Sequence, residues 1–372
     1  MIRLAWPDIG FKEVEKDLKR VIDSGYLTSG PFVKEFEKKV ADYVGVKFAI
    51  ATTSATTALS LSLVALGVKS GDEVLVSDFT HPATGNVVID RGAKPVLVDI
   101  NLDTLSIDLN DLKKKITKKT KVVIVVDPFG FPANLGEIEK LIKEKGIGFI
   151  EDAATSIGAK ADGRMCGSFG AAGCFSFHPR KTVTTGEGGM ITTNDSVIAE
   201  EARLLRNHGG SLEGKNNIYT FRKAGFNYRM SDLQAVLGIA QMRKIADLIE
   251  KRKKLADLYK ELLSDEPLIK FQRRVEGSRV VYQSLVVLLD GKVNRNIVIE
   301  EMKNKGIETT LGTYALHAQP AYQRFGYKPR DLKNSYEAFS QSLALPLHSH
   351  LSKEDVKYIC ENLMEVLKRH YE

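Results

Sequence analysis

The chain has 372 residues, 43% hydrophobic and 27% charged, with a net charge of +7 at neutral pH. This composition suits a folded globular protein with material for a large domain and a smaller one, and it excludes a low-complexity or disordered chain. No apolar run approaches the roughly 20 residues of a membrane span, and the opening MIRLAWPDIGFKEVEKD reaches acidic residues too soon for a signal peptide.

In chain order, FKEVEKDLKRVID places Phe11, Val14, Leu18, Val21 and Ile22 at helical spacing. KFAIAT reads as a short strand, and ATTALSLSLVALG as a helix starting near Ala55 and ending at Gly67. DEVLVS and KPVLVDI are strands, and KVVIVVD, which does not alternate, is a strand buried on both faces. IEKLIKEKG is a helix closed by glycine, and IGFIED is the next strand. Strand and helix repeating in this way predict a mostly parallel sheet flanked by helices, an α/β fold. Near Gly225 the pattern changes. One long helical stretch runs from Ser231 to ELL, then SRVVYQSLVVLL is strand-like, NRNIVIEEMKNKG helical, and a last helix starts at a Ser352 cap. The expected division is a large α/β domain over 1–249 and a smaller C-terminal α+β domain over 250–372.

Cys166, Cys174 and Cys360 form no CxxC pair and no even disulfide set, which points to a reducing cytoplasm. The densest basic run, Lys113 to Lys121, reads as the solvated end of a helix entering a strand. No aromatic residues interleave it, so the basic pI of about 9.0 is a weak argument for nucleic acid. There is no GxxxxGK[ST] loop, no GxGxxG after the first strand, no HExxH and no GxSxG, and the seven histidines show no zinc-ligand spacing.

Four segments stand out, three of them at carboxyl ends of strands, the edge where open α/β sheets bind ligands. In TTSATTAL a strand ends, small hydroxyl residues follow and a helix begins. Its first amides, those of Ala55 and Thr56, would form an anion cup, though the same residues serve plain helix capping. FIEDAATS carries Asp152 to the edge, where a carboxylate needs a cationic partner or a structural ion pair. SFHPRKTVTTGEGGM ends a strand at Ser176 and places Lys181 five residues later, where burial can lower the amine's pKa. An amine, a carboxylate and an anion cup are the set needed to hold pyridoxal 5′-phosphate: the lysine bonds it, the aspartate keeps its ring nitrogen protonated, and the cup takes its phosphate. GFNYRMSDLQAVLG is a polar turn before a helix and also reads as a simple cap.

With these residues in view, the chain resembles the DegT/DnrJ family of pyridoxal-phosphate-dependent sugar aminotransferases, which have the aspartate aminotransferase fold. The likeness runs from SGYLTSGPFVKEFEKKVADYVGVKFAIATTSATTAL through GAKPVLVDI, IEDAATSIGA, SFHPRKTVTTGEGGMITTND and GFNYRMSDLQA to LALPLH. The resemblance implies that Lys181 carries the cofactor, Asp152 faces its ring nitrogen, and Ser176, Ala55 and Thr56 hold its phosphate. It implies that Asn227 is lent by a second subunit, hence a homodimer with composite sites. His81, in THPATGN, stands where family members stack an aromatic ring, and Thr155 replaces a longer side chain near the cofactor. Relatives acting as sugar dehydratases have histidine at the lysine position, and here the lysine is kept.

The resemblance implies a reaction that takes an amino group from glutamate to a keto-sugar on a nucleotide, in amino-sugar biosynthesis. Substrate contacts are expected from Tyr26, Thr28, Glu187, Tyr314 and His317, although GTYALHAQPAY equally reads as a domain-packing loop. The competing readings are an aminotransferase for a free keto-cyclitol and a regulatory protein that binds the cofactor without turnover.

Overall fold

The computed structural model describes residues 1–213, 218–328 and 330–371. A seven-stranded sheet forms its centre, with strands in the spatial order Phe48–Thr52, Gly189–Thr193, Ala172–Ser176, Gly148–Asp152, Thr120–Val126, Glu73–Ser77 and Lys94–Val98. Gly189–Thr193 runs against the other six, which are mutually parallel. The α/β expectation therefore holds. The register aligns Val126 with Asp152, so the carboxyl ends of neighbouring strands open on one edge.

Side-chain alternation divides the sheet's two faces between two apolar clusters. Val123 and Val125 pack in one with Phe36, Phe149 and Phe175, while Val122 and Ile124 pack in the other with Ile50, Ile150 and Ile191. The unbroken apolar run of KVVIVVD is thus a strand covered on both sides. A third cluster surrounds a four-stranded sheet ordered Ile269–Phe271, Leu285–Leu289, Ser342–Leu345 and Thr310–Leu311. The helix Ile245–Leu262 joins these regions: Ile245 and Ile249 pack in the first cluster, Leu255 and Tyr259 in the third. Residues 249 and 250 lie inside this continuous helix.

Three local expectations change. The stretch from Ser231 is two helices, Asp232–Met242 and Ile245–Leu262, interrupted at Lys244 (φ −120°, ψ 16°). There Lys244 Nζ is tethered to Asp8 at 2.8 Å and Glu13 at 2.9 Å, partners on the N-terminal segment that its own periodicity does not show. SRVVYQSLVVLL becomes a strand only over Leu285–Leu289, because Tyr282 takes a left-handed φ of 48°. In the first helix, Phe11–Ser24, Val14 and Val21 are buried, but Phe11 (68%) and Ile22 (65%) face outward. Among the described residues no helix is long and apolar enough to cross a membrane.

Candidate active site

A cavity of about 560 Å³ opens at the carboxyl edge of the central sheet, within the size range of small-molecule sites. Nine of the expected residues line it: Ala55, Thr56, His81, Asp152, Thr155 and Ser176, then Lys181, Glu187 and Tyr314.

Lys181 sits in the loop after the strand Ala172–Ser176. Burial pulls its ammonium pKa down from 10.5 to about 8; Asp152 acts the other way and Arg180 adds to the lowering. A lysine so placed reaches its free amine near neutral pH, which an exposed one does not. The loop is held from outside. Thr182 N–H donates to Gln283 Oε1 at 3.1 Å, and Gln283 Nε2 donates to the Arg180 carbonyl at 3.1 Å, so one amide clasps both neighbours of Lys181. Gln241 clasps Thr184 in the same manner, accepting its N–H at 3.2 Å and donating to its carbonyl.

Asp152 ends the strand Gly148–Asp152 and is 5% exposed. Its Oδ2 accepts from Thr84 Oγ1 at 2.8 Å, and Oδ1 from Ala154 N–H at 3.3 Å. Burial raises its pKa; the Thr84 hydroxyl is the largest opposing influence, and Lys181 also favours the carboxylate. A cationic ring nitrogen would complete this pairing.

On the lining of the same cavity, the helix Ala55–Ala65 begins with Ser54 as its cap. Ser54 Oγ accepts from Thr57 N–H at 3.2 Å, and the first-turn amides of Ala55 and Thr56 are left for an anion at the cavity wall. The neighbouring strand passes very close: a Cβ at Gly189 would lie 2.2 Å from the Ser54 carbonyl oxygen. This explains the second glycine of the pair in GEGGM, since a side chain at Gly189 would push the cup aside.

His81 caps the helix Pro82–Asp90, its Nδ1 accepting from Ala83 N–H at 3.2 Å. Burial first, and then the charge of Lys181, lower its pKa, favouring a neutral ring. Thr155 Oγ1 donates to the Asp127 carbonyl at 2.5 Å and accepts from Gly130 N–H at 3.3 Å, so it braces the Asp127–Gly130 turn. Glu187 is exposed at the rim, 4.0 Å from His178 Nε2.

Four expected residues lie off this cavity's lining. His317 is fully buried with Nδ1 2.5 Å from Asp78 Oδ2, while its N–H donates to Asp78 Oδ1 at 2.8 Å. It ties the Tyr314 turn to the sheet edge and does not face the cavity. Tyr26 and Thr28 are exposed, and Asn227 is exposed on an otherwise half-buried segment bridged to Asn207. The loop and that segment are fastened together: Thr28 pairs with Ser231, and Gly30 N–H donates to Asp232 Oδ1 at 2.9 Å.

Sequence reasoning missed Thr84, His178, Arg180 and Gln283 on the cavity wall. Thr84 had a readable signal, a hydroxyl three residues after His81 in a helical first turn. Gln283 had none, lying inside an apolar run that reads as a strand.

The residues fit pyridoxal 5′-phosphate. A buried amine of lowered pKa, a buried carboxylate oriented by a hydroxyl and a helix-terminal amide cup share one cavity, matching the cofactor's aldehyde, ring nitrogen and phosphate. Comparison with known proteins agrees. Residues 9–364 match the DegT/DnrJ/EryC1/StrS aminotransferase family. The GDP-perosamine synthase of Caulobacter vibrioides is 37% identical over 350 residues, 93% of each chain. The PLP form of the putative sugar aminotransferase Spr1654 from Streptococcus pneumoniae superposes with a TM-score of 0.93 at 29% identity, covering 99% of both chains. Helicobacter pylori PseC, an aminotransferase involved in the biosynthesis of pseudoaminic acid, gives 0.93 at 27% identity, also over 99% of both. The chain belongs to the DegT/DnrJ/EryC1/StrS aminotransferase family, whose members are pyridoxal-phosphate-dependent enzymes.

Proposed function

We propose that the chain transfers an amino group from glutamate to a keto-sugar carried on a nucleoside diphosphate. The observation that carries this reading is the convergence of Lys181, Asp152 and the Ala55–Thr56 cup on one cavity. When bound, pyridoxal 5′-phosphate supplies an electron sink for the carbanion formed at the donor's Cα. Lys181 Nζ takes the Cα proton and later returns one, acting as general base and then general acid. Asp152, oriented by Thr84, would keep a proton on the ring nitrogen. Ala55, Thr56 and Ser176 would hold the phosphate, and His81, on the same cavity wall, would be available to the ring. Tyr314 and Glu187 face the sugar, while His317 acts one step away by fixing the Tyr314 turn.

The likeness to a GDP-perosamine synthase makes a GDP-linked keto-sugar the first substrate to try. The test loads the full chain with cofactor, adds glutamate, and follows cofactor absorbance and then product mass with GDP-linked keto-sugars and with free keto-cyclitols. Conversion of the nucleotide-linked set supports the reading. Conversion of free cyclitols alone replaces it with the cyclitol enzyme. No absorbance change with any amino donor replaces it with a regulatory protein without turnover.

We further propose a homodimer in which Asn227, with the Tyr26–Thr28 loop fastened beside it, serves the partner's cavity. Exposed apolar side chains support this: Phe11, Ile22 and Tyr26 on one segment, and Leu212, Ile218 and Phe221 on the hairpin strands Gly210–Glu213 and Ile218–Phe221. Mixing Lys181→Ala with Asn227→Ala protomers should rebuild about a quarter of the sites, because half of random pairs are mixed and each holds one intact site. A mixture no more active than its components would refute shared sites. The three free, buried cysteines suit a cytoplasmic location, and we keep the division of the chain near residue 249.

A further inference from the structure

A second cavity, of about 940 Å³, lies between the helix Ile245–Leu262 and the segment Phe271–Tyr282. It shares no lining residue with the Lys181 cavity, yet Tyr282 lines one and Gln283, the next residue, lines the other. None of the outward-facing apolar side chains assigned above to the subunit contact lines it.

Its chemistry is uneven. Lys253, Lys260, Arg273, Arg274 and Arg279 line it against two acids, Glu250 and Asp257. Lys260 donates to Tyr282 Oη at 2.8 Å, and Arg273 is 3.7 Å from Asp103. Among the described residues, Lys253, Arg274 and Arg279 have no carboxylate at ion-pair distance. Three unneutralised cations around one concavity favour a ligand with more than one anionic group, and guanidinium forks match phosphate oxygens.

A second, independent feature sits on the same wall. Gln272 is only 6% exposed; its Nε2 donates to the Thr104 carbonyl at 2.7 Å, but its Oε1 is buried without a hydrogen-bond partner. A buried acceptor left unpaired is costly, and a small rotation of the Gln272 side chain toward the cavity would let an N–H or O–H donor of a ligand satisfy it. Part of the remaining wall is aromatic: Phe131 meets Tyr282 edge to face at 5.3 Å, and Phe271 also lines the cavity. Anionic groups, a hydrogen-bond donor and a flat apolar ring together describe a nucleotide.

We propose that this cavity binds a nucleoside diphosphate at a site separate from the Lys181 cavity. The phosphates lie on Arg274, Arg279 and Lys253, and an amino or hydroxyl group of the nucleoside bonds Gln272 Oε1 once that side chain has rotated toward the cavity.

The test titrates cofactor-loaded full chain with GDP, pyrophosphate and guanosine by calorimetry, beside an Arg274→Glu, Arg279→Glu double variant. Both arginines are exposed, and circular dichroism checks that the variant is folded. The expected result is one class of GDP site whose affinity falls more than tenfold in the double variant, together with any site in the Lys181 cavity, which is unchanged. Gln272→Leu should weaken GDP severalfold and leave pyrophosphate as it was. If the Lys181 cavity takes no nucleotide, wild type shows one class and the double variant none. If wild type and double variant give the same GDP isotherm, this second site is overturned.

Discussion

The two faces of the strand Gly148–Asp152 both carry a buried acid, and the acids are put to different uses. Asp152 points to the Lys181 cavity, where it meets a hydroxyl and the field of an amine. Glu151, one residue earlier and so on the other face, meets Asp127 and Cys166, the ligand atoms of the three lying within 4.8 Å. The oxygens there are already engaged: Glu151 accepts from Gly167 and Phe169 N–H at 2.7 and 3.1 Å, and Asp127 from Ala133 N–H and Ser156 Oγ, both at 2.9 Å. That is a proton-sharing acid pair that fastens loops, where metal binding would need free oxygens. Burial, and then the charge of Asp127, lifts the Glu151 pKa well above the usual range. Equal burial therefore yields a chemical group on the open face and a structural one on the closed face.

Removing the groups one at a time tests that contrast. Lys181→Ala has the largest expected effect: amino transfer should fall by at least about a thousandfold, with the urea midpoint little changed. Full activity in this variant would end the assignment. Asp152→Asn should keep cofactor and cost about a hundred- to a thousandfold in the glutamate half-reaction, again with little loss of stability. Glu151→Leu should do the reverse. It leaves two buried N–H groups unpaired at about 1–3 kcal/mol each, so its urea midpoint drops while the rate per folded molecule stays within a few-fold. A large rate loss in Glu151→Leu with normal stability would erase the distinction between the faces.

The open face was the legible one. Asp152 ends a strand, and the Ala55–Thr56 cup and Lys181 come within five residues of one, and a strand's carboxyl end locates a residue wherever the rest of the chain goes. What supports them was hidden by sequence distance. Gln241 and Gln283 hold the Lys181 loop across 57 and 101 positions, and a lone glutamine in an apolar run gives no periodic signal. A loop histidine looks the same whether it meets a ligand or an acid, so from sequence His317 suggests a substrate contact; its partner Asp78 lies 239 positions away. The left-handed Tyr282 hid inside VVYQSLVV, where every local preference is for a strand. The α/β class and the strand and helix sites were readable because periodicity is local. The break at Lys244 was not, since distant acids hold that side chain.

The closed face also makes a pH prediction. Burial raises the Asp127 pKa from 3.8 to about 6. Between those values the folded chain holds more protons at this position than the unfolded chain, so its contribution to stability is present at low pH and is lost as pH rises through about 6. The span corresponds to about 2–3 kcal/mol at most. Asp127→Asn should flatten this part of the stability curve from urea melts between pH 4 and 7. An unchanged slope would mean that the pair's proton does not respond to folding.

The smallest expected effect returns to the open face. Gln283 touches no reacting atom; it positions Lys181 by clasping the residues on either side, accepting from Thr182 N–H and donating to the Arg180 carbonyl. Gln283→Ala removes both bonds, and a loosened general base should cost about tenfold in kcat with KM nearly constant, since approach geometry and not substrate binding is lost. Loosening also admits water to the amine. In the cofactor-free chain, the midpoint for Lys181 reacting with a small aldehyde should therefore move from about 8 in wild type upward toward the ordinary lysine value. Gln283→Glu keeps an acceptor for Thr182 and loses the donor to Arg180, so its kcat should fall between the two, while its added negative charge pushes the amine titration further up. A Gln283→Ala protein with a lower urea midpoint but an unmoved amine titration would make the glutamine a packing residue, leaving burial alone to tune Lys181.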